Sequence, residues 1–216
     1  MTRFLIQMGV ESRFVGGLRV TTPDVIDAVL KVFAGSVNSQ LVSAFRAAGA
    51  RPVGLTGLDA GLVDAEVLNP ELGQVGKPVH CDARLLELLT RESYLPVVAC
   101  VAGDASGAVY NVNADQMAVA CGAAFGADKL LFLTDVEGVK DASGKTLESL
   151  TSAQARTLIA DGVASGGMQA KLEAAMAALA GSGGRAVGEV RIGPGARAGI
   201  VGLMLTQGAV GTRIIP

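Results

Sequence analysis

The run LPVVACV, residues 95–101, decides the fold class that the sequence predicts. It is continuously apolar and Gly103 follows it closely, a pattern typical of a strand buried on both faces of a parallel sheet. Leu85, Leu88 and Leu89 precede it at helical spacing. A helix that leads into a buried strand predicts a crossover connection, and hence an α/β protein.

The run KLLFLT, residues 129–134, repeats this apolar pattern and ends at Asp135. We expect it to be a second buried strand. The other elements predicted in this half are a hairpin arm at 108–111, a helix at about 113–126, a helix that begins with a capping box at 151–154, and closing strands near 187–192 and 210–215.

The N-terminal half predicts two helices before its first strand. Thr22-Pro23 supplies an N-cap and a first helical residue for a helix that we expect to end at Gly35. A second helix with one apolar face is expected to end at Gly49, before a short strand at 52–56. Residues 61–81 alternate short apolar pieces with glycine and proline, which predicts a β-meander at the edge of the sheet.

Composition indicates a compact layered protein and excludes several function classes. With 216 residues, 50% of them hydrophobic, and 29 glycines, the chain is expected to form one compact domain with many tight turns. A net charge of -2 with scattered basic residues gives no reason to expect nucleic acid or an anionic membrane as a partner. Charges or glycines interrupt the apolar runs, so no membrane span is expected.

Cys81, Cys100 and Cys121 lack metal-ligand spacing, which predicts inert core thiols in a cytoplasmic protein.

Gly166 and Gly167 precede Met168-Gln-Ala-Lys171 at the start of a predicted helix. Free N–H groups at a helix N-terminus bind anions, and glycines let a phosphate approach the backbone. Lys171 lies in the first turn, so its ammonium group can reach the same position. The pattern predicts a phosphate site, but a glycine linker beside a solvated lysine also accounts for it, because the Walker pattern is absent.

The stretch YNVNAD, residues 110–115, places three short polar side chains where a strand gives way to a helix. Asn113 is a suitable N-cap. Asp115 either complements the helix dipole or holds an ammonium group such as that of Lys171. Asn111, at the strand end, is placed to bind polar groups of a ligand. A structural role and a functional role remain alternatives for this cluster.

The stretch FVGGLRVT, residues 14–21, predicts a hairpin that turns at a glycine pair. Arg19 would then point into a cleft, where its planar guanidinium group suits bidentate binding of a carboxylate. A lone surface arginine is the alternative interpretation.

Together these stretches resemble the amino-acid kinase superfamily, and within it most closely the N-acetyl-L-glutamate kinases. The similarity is collinear over nearly the whole chain, and the combination of motifs in this order is specific, although LTDVEGV alone is shared across the superfamily. The motifs are GLRVT at 17–21, GSVNSQLV at 35–42, VGLTGLD at 53–59, LGQVG at 72–76, YLPVVA at 94–99, YNVNAD at 110–115, GADKLLFLTDVEGV at 126–139, GGMQAK at 166–171 and GTRI at 211–214.

The resemblance implies an α/β fold, a three-layer αβα sandwich with an eight-stranded, mainly parallel central sheet. The single domain over 1–216 would comprise an N-lobe at 1–112 for the acyl amino acid and a C-lobe at 113–216 for ATP. The resemblance also implies a homodimer formed through an N-lobe helix, and Mg²⁺ held mainly by the nucleotide phosphates. The implied activity is ATP-dependent phosphorylation of the γ-carboxylate of N-acetyl-L-glutamate to an acyl phosphate in arginine biosynthesis.

The same resemblance implies roles for individual residues. Arg19 would bind the substrate α-carboxylate, Lys171 would neutralise the transferring phosphoryl group, and Asp115 would orient that lysine. The further substrate-binding residues would be Gly17, Asn111 and Asn113, and the nucleotide-binding residues would be Thr134, Asp135, Gly166, Gly167 and Met168. Because the γ-carboxylate is already ionised at neutral pH, the reaction needs positioning and positive charge rather than a general base.

Two other functions remain as alternatives. One is a carrier-protein-linked aminoadipate or glutamate kinase, although that subgroup departs from the GLRVT and YNVNAD patterns. The other is a non-catalytic paralogue that binds an acylated amino acid.

The family's first two strands carry Lys-x-Gly-Gly and His-Gly-Gly-Gly, and neither motif occurs in these 216 residues. We therefore expect the sequence to start inside the N-lobe, through trimming or a misassigned start codon, unless it is the non-catalytic paralogue. Loss of central strands would expose the edges of the neighbouring strands.

Overall fold

The structure is a computed structural model that describes residues 1–181, 184–206 and 210–216. It contains two compact units, residues 1–121 and 122–216, and the division falls within the helix Ala114–Phe125. The predicted α/β class is confirmed, since helices alternate with strands that form parallel pairs. The predicted lobe boundary at residues 112 and 113 stays a prediction.

The first unit is built from five helices and eight strands, with α5 continuing into the second unit. In chain order they are α1 (Thr2–Gln7), β1 (Phe14–Val15), β2 (Leu18–Arg19), α2 (Pro23–Val29), α3 (Asn38–Ala47), β3 (Pro52–Thr56), β4 (Val63–Val67), β5 (Val75–Cys81), α4 (Arg84–Arg91), β6 (Leu95–Ala99), β7 (Val101–Gly103), β8 (Val109–Val112) and α5 (Ala114–Phe125).

Helices α2 and α3 form one continuous helix, because a π-helical segment at Leu30–Val37 joins them. The prediction that the first helix ends at Gly35 is therefore wrong. Thr22 is the N-cap, as predicted, and its hydroxyl accepts a hydrogen bond from Val25 N over 3.4 Å. Gly35 lowers helix propensity, but tertiary packing of the buried Val29 and Val32 outweighs that cost.

This long helix, Pro23–Ala47, is the one described helix whose length and composition would allow it to cross a membrane, with a mean hydropathy of 1.3. Core helices of other proteins meet the same criteria. Its buried side chains Val25 and Val29 pack in one cluster with Leu5 and Val101. Its first turns therefore lie in the protein core, whereas Val37, Leu41 and Phe45 further along the helix are exposed.

Strands β4, β5, β8 and β7 form a closed barrel. The β-meander predicted for 61–81 is instead the antiparallel hairpin β4–β5, which lies in this barrel and not at the edge of a sheet. The single strand predicted for 95–101 is also wrong, because the chain changes partners at Cys100. Val112 N donates to Cys100 O over 3.1 Å, which draws the following residues into the barrel.

The segment before Cys100, β6, pairs in parallel with β3 to form a separate two-stranded sheet. The other edge of each strand carries no partner strand among the described residues. Leu95 is 37% exposed, so the start of β6 is not buried as predicted. Asn38 of α3 is buried against this sheet and donates from Nδ2 to Val97 O over 2.7 Å.

The second unit is built around a four-stranded mixed sheet. Its elements are β9 (Lys129–Thr134), β10 (Ser149–Thr151), α6 (Ser152–Ala160), α7 (Gly166–Leu179), β11 (Glu189–Pro194), α8 (Ile200–Thr206) and β12 (Thr212–Ile215). The strand order is β10-β12-β11-β9, in which β9 is parallel to β11, and β11 is antiparallel to β12. The described residues thus form separate two-stranded and four-stranded sheets where the resemblance implied one sheet of eight.

Several local predictions for this unit are confirmed. Thr151 and Gln154 make both hydrogen bonds of a capping box at the start of α6. The two closing strands exist, each beginning two residues later than predicted. In β9 the side chain of Phe132 is buried but Leu133 is 45% exposed, so this strand is not buried on both faces.

Candidate active site

Three of the sequence motifs meet at Thr21, which is fully buried. Thr21 N donates to Leu72 O over 2.9 Å, and Gln74 N donates to Thr21 O over 2.7 Å. Asn111 N donates to Gln74 O, and the Asn111 amide group donates to Thr21 Oγ1 over 3.1 Å. These hydrogen bonds therefore hold three segments together around Thr21, namely the backbone after β2, the loop before β5 and the strand β8.

Gly73 makes this arrangement possible. It adopts a φ of +67, and a Cβ atom there would lie 2.4 Å from Thr21 O. Only glycine combines that backbone conformation with such a close approach. Sequence analysis did not select Gly73, Thr21 or Gln74, although the motif LGQVG at 72–76 contains two of them.

Arg19 lies two residues before Thr21, at the end of the hairpin β1–β2. Gly16 and Gly17 turn this hairpin with φ values of 56 and 79, as the glycine pair predicts. The guanidinium group lies 4.4 Å from the centroid of the Phe14 ring and donates to the hydroxyl oxygens of Ser12 and Thr2. Burial lowers the pKa of Arg19. These partners are all uncharged, so they do not neutralise the arginine.

Asn113 caps α5, as its position predicts. Its Oδ1 accepts hydrogen bonds from Asp115 N over 2.9 Å and from Gln116 N over 3.2 Å. Asp115 is half-buried in the first turn of the helix. The structure thus places Asn111, Asn113 and Asp115 at the junction of β8 and α5, and Asn111 contacts the segment that carries Arg19.

In the second unit, the residues predicted to bind nucleotide lie at the end of β9 and the start of α7. Thr134 ends β9, and its hydroxyl donates to Asp135 Oδ1 over 3.0 Å. Lys171 Nζ lies 5.8 Å from the centroid of the Phe132 ring, two residues before Thr134. Lys171 is half-buried, and its contact with Phe132 brings α7 to the C-terminal half of β9.

The first residues of α7 leave room for a ligand. A Cβ atom at Gly166 or Gly167 would meet nothing within 4 Å, and Gly166 has a φ of +55. The preceding Ser165 makes no side-chain capping hydrogen bond. Backbone N–H groups at such a helix start, with a lysine one turn later, suit the phosphates of a nucleotide.

A groove of about 450 Å³ lies elsewhere, between α3 and β3. Its lining includes Asn38, Arg46 and Gly54 but none of the predicted site residues. Among the described residues, no group of three or more His, Cys, Asp or Glu side chains could hold a metal ion.

The sequence profile of the amino acid kinase family matches residues 1–187. The chain belongs to the amino acid kinase family. This kinase is 58% identical over 215 residues to the acetylglutamate kinase of Solibacter usitatus, an alignment that covers 100% of this chain and 82% of that one. It is 43% identical to the acetylglutamate kinase of a Chelativorans strain, with 98% of this chain and 75% of that one covered.

Solved structures agree with this assignment of the kinase fold. The smu.665 protein from Streptococcus mutans UA159 matches with a TM-score of 0.83 and 28% identity. The match covers 99% of this chain and 81% of the smu.665 chain. An N-acetylglutamate synthase from Neisseria gonorrhoeae, complexed with coenzyme A and N-acetyl-glutamate, matches with a TM-score of 0.85. The match covers 100% of this chain and 49% of the synthase chain. Because it is only 22% identical, it supports the fold alone. The resemblance read from the motifs is confirmed, and the roles assigned to individual residues stay predictions.

Proposed function

We propose that this kinase transfers the γ-phosphoryl group of ATP to the γ-carboxylate of N-acetyl-L-glutamate, a step of arginine biosynthesis. The observation that carries this proposal is the 58% identity, over the whole chain, to an acetylglutamate kinase. A carboxylate oxygen attacks the γ-phosphorus, the bond to the β,γ-bridging oxygen breaks, and ADP leaves with that electron pair. No proton is transferred, which agrees with a predicted site that contains no histidine.

The cluster around Thr21 supports the assignment of the acyl amino acid to the first unit. Arg19 supplies a fork that matches the α-carboxylate, and the uncharged partners that it has in the structure leave its charge available. The hydrogen bond to Thr21 fixes the amide group of Asn111, whose remaining hydrogen-bonding capacity serves the substrate. Gly17 and Asn113 belong to the same proposed site through the hairpin turn and the helix cap.

The start of α7 supports the assignment of ATP to the second unit. Gly166 and Gly167 would hold the nucleotide phosphates through backbone N–H groups, with Met168, Thr134 and Asp135 as further nucleotide contacts. Lys171 would stabilise the charge on the transferring group, and Mg²⁺ would bind mainly to the phosphates. The role of Asp115 in orienting Lys171 stays a prediction.

The homodimer is also a proposal, supported by α3 and the π-helical segment before it. Val37, Leu41 and Phe45 recur every fourth residue and are 39%, 46% and 40% exposed. Apolar side chains at this spacing form one stripe along a helix, and such a stripe is typical of a protein interface. A cytoplasmic location fits this activity, because both ATP and the amino-acid substrate are soluble metabolites.

The test is to trap the product with hydroxylamine, which converts an acyl phosphate to a hydroxamate. The folded chain is incubated with N-acetyl-L-glutamate, ATP and Mg²⁺, and we expect hydroxamate and ADP in equal amounts. L-Glutamate in place of the acetylated substrate, and Lys171→Ala in place of the wild type, serve as controls.

Binding of N-acetyl-L-glutamate without hydroxamate would contradict the proposal and favour the non-catalytic paralogue. Turnover only with a carrier-protein-linked substrate would favour the other kinase class.

A further inference from the structure

Thr212 is a fully buried threonine at the start of β12, in the motif GTRI at 211–214, which supplies no residue of the proposed site. Its hydroxyl accepts a hydrogen bond from Val139 N over 2.8 Å and donates one to Leu147 O over 2.6 Å. Leu147 N in turn donates to Val139 O over 2.8 Å. One side chain of β12 therefore holds both ends of the segment 139–147.

Gly138 packs against the same hydroxyl group. A Cβ atom at Gly138 would lie 2.6 Å from Thr212 Oγ1 and 3.2 Å from Thr212 N. The first separation is shorter than van der Waals contact, so the approach requires a residue without a side chain. Gly138 and Val139 are both buried. Thr212 therefore fixes the backbone at these two positions.

The backbone is also fixed on the other side of Asp135. Thr134 pairs with Pro194 of β11, and Gly195 N donates to Thr134 O over 2.7 Å. Asp135 itself is exposed, and it lies between this pairing and the contact of Gly138 with Thr212. The short segment that carries Asp135 is therefore held at both ends.

We propose that Thr212 is a positioning residue for the nucleotide, because its hydroxyl holds the loop after β9 in the conformation in which Thr134 and Asp135 contact ATP. The inference rests on the proposed nucleotide contacts of those two residues. Thr212 is buried, so it acts through the loop and not by contact with the ligand.

Loss of the hydroxyl would leave Val139 N buried without its acceptor, which disfavours the observed conformation of the loop. Part of the population would then hold Asp135 elsewhere. The apparent affinity for a ligand falls in proportion to the fraction of molecules that keep the binding conformation. Removal of the Thr212 hydroxyl should therefore weaken nucleotide binding.

Thr212→Val and Thr212→Ser test this role. Valine keeps the shape of threonine without its hydroxyl, whereas serine keeps the hydroxyl. In calorimetric titration of the full chain with ATP and Mg²⁺, we expect the Kd for ATP to rise by roughly tenfold in the valine variant and to stay close to the wild-type value in the serine variant. In the hydroxamate assay, KM for ATP should rise in the valine variant while KM for N-acetyl-L-glutamate stays nearly unchanged.

Thr151→Ala is the matched control for a loss of stability. It removes the N-cap of α6, whose hydroxyl accepts from Gln154 N, and so destabilises the same unit without changing the contacts of Thr212. We expect a lower midpoint in urea unfolding and an unchanged Kd for ATP. Gly138→Ala disturbs the contact from the side of the loop and should raise the Kd for ATP, so the inference does not depend on the folding of the valine variant.

An unchanged Kd for ATP in folded Thr212→Val or Gly138→Ala would overturn the inference. So would a serine variant that loses as much affinity as the valine variant, or a valine variant in which KM for N-acetyl-L-glutamate rises as much as KM for ATP. A wild type that binds ATP but forms no hydroxamate would contradict the proposed function alone, because the titration would still decide the role of Thr212.

Discussion

The Asn111 amide group donates a hydrogen bond to the Thr21 hydroxyl over 3.1 Å, although the two residues are 90 positions apart. Thr21 Oγ1 in turn donates to Arg19 O over 3.0 Å. One buried hydroxyl therefore couples the backbone at Arg19 to the side chain of Asn111. The positions of Arg19 and Asn111, the two residues proposed to bind the substrate, therefore depend on the Thr21 hydroxyl.

Removal of this hydroxyl should weaken substrate binding. Thr21→Val keeps the shape of the side chain but leaves the Asn111 amide without its acceptor, at a cost of about 1–3 kcal/mol. We expect KM for N-acetyl-L-glutamate to rise by roughly tenfold, with KM for ATP nearly unchanged. Thr21→Ser retains the hydroxyl and should stay close to the wild type. Equal KM values for the valine and serine variants would mean that the hydrogen bond does not position Asn111 for the substrate.

The Gly73 position should tolerate no side chain. In Gly73→Ala, the new Cβ would collide with Thr21 O, and the positive φ adds strain of about 1–3 kcal/mol. We expect a lower midpoint in urea unfolding and a higher KM for N-acetyl-L-glutamate. Gly107→Ala separates the two effects, because Gly107 has a φ of +86 but open space around it. If both variants lose the same stability, the collision with Thr21 is not significant.

Lys171 should act in the chemical step. Replacement of a preorganised group of this kind by alanine lowers kcat by roughly a hundredfold or more. We expect Lys171→Ala to show this loss in the hydroxamate assay while remaining folded. Lys145→Ala removes an exposed lysine of the same unit and should retain activity. A Lys171→Ala enzyme with normal kcat and a raised KM for ATP would restrict Lys171 to nucleotide binding.

Glu189 should stabilise the second unit in a pH-dependent way. Its carboxylate accepts a hydrogen bond from Arg191 Nε over 2.6 Å and forms an ion pair with Arg213, whose Nε lies 2.7 Å from Glu189 Oε2. Burial raises the pKa of Glu189, but the hydrogen bond from Arg191 and the charges of Arg191, Arg213 and Lys129 together bring it below its ordinary value of 4.5. Since the folded pKa is the lower one, the stabilisation is complete above 4.5 and is lost as the pH falls through the folded pKa.

Glu189→Gln should therefore lower the free energy of unfolding by about 2 kcal/mol at neutral pH, because the hydrogen bond from the buried Arg191 loses its charged acceptor. The difference in the free energy of unfolding between the variant and the wild type should be smaller in acidic buffer than at neutral pH. Urea unfolding of both proteins in the two buffers measures this difference. Glu148→Gln changes an exposed carboxylate and serves as the control. A constant difference across this pH range would exclude titration of Glu189 as the cause.

The apolar stripe on α3 should control the oligomeric state. Phe45→Glu places a charge in the proposed interface, so we expect analytical ultracentrifugation to show a dimer for the wild type and a monomer for the variant. Val201→Glu changes a valine on α8 that is 44% exposed and should leave the dimer intact. A dimer that survives Phe45→Glu would place the interface on another surface.

Local chemistry explains what the sequence could predict. The Thr22 cap, the capping box at Thr151, the Asn113 cap and the glycine turn of the first hairpin each depend on residues within a few positions of one another. Such features are encoded by short patterns, and the structure contains all four. The family could be recognised for a similar reason, because its motifs are short and occur in a fixed order.

Contacts between distant segments explain what the sequence could not predict. The change of partners at Cys100 depends on Val112, and the continuity of the helix through Gly35 depends on the packing around it. Thr21 and Gly73 could not be predicted as site residues, because a threonine and a turn glycine are ordinary residues until the fold brings them together. Asn111, by contrast, could be selected, since a polar residue at the end of an apolar strand already requires an explanation.

Asn38 and Gly54 constrain each other's evolution. A Cβ atom at Gly54 would lie 2.2 Å from Asn38 Oδ1, while Asn38 donates to Val97 O. A lineage that replaced Gly54 first would displace the asparagine, and one that lost Asn38 first would leave a strand carbonyl without its donor. Either single step is disfavoured, so we expect the two positions to change together. Helix α3 and the strand β3 that follows it in the chain therefore share one structural constraint.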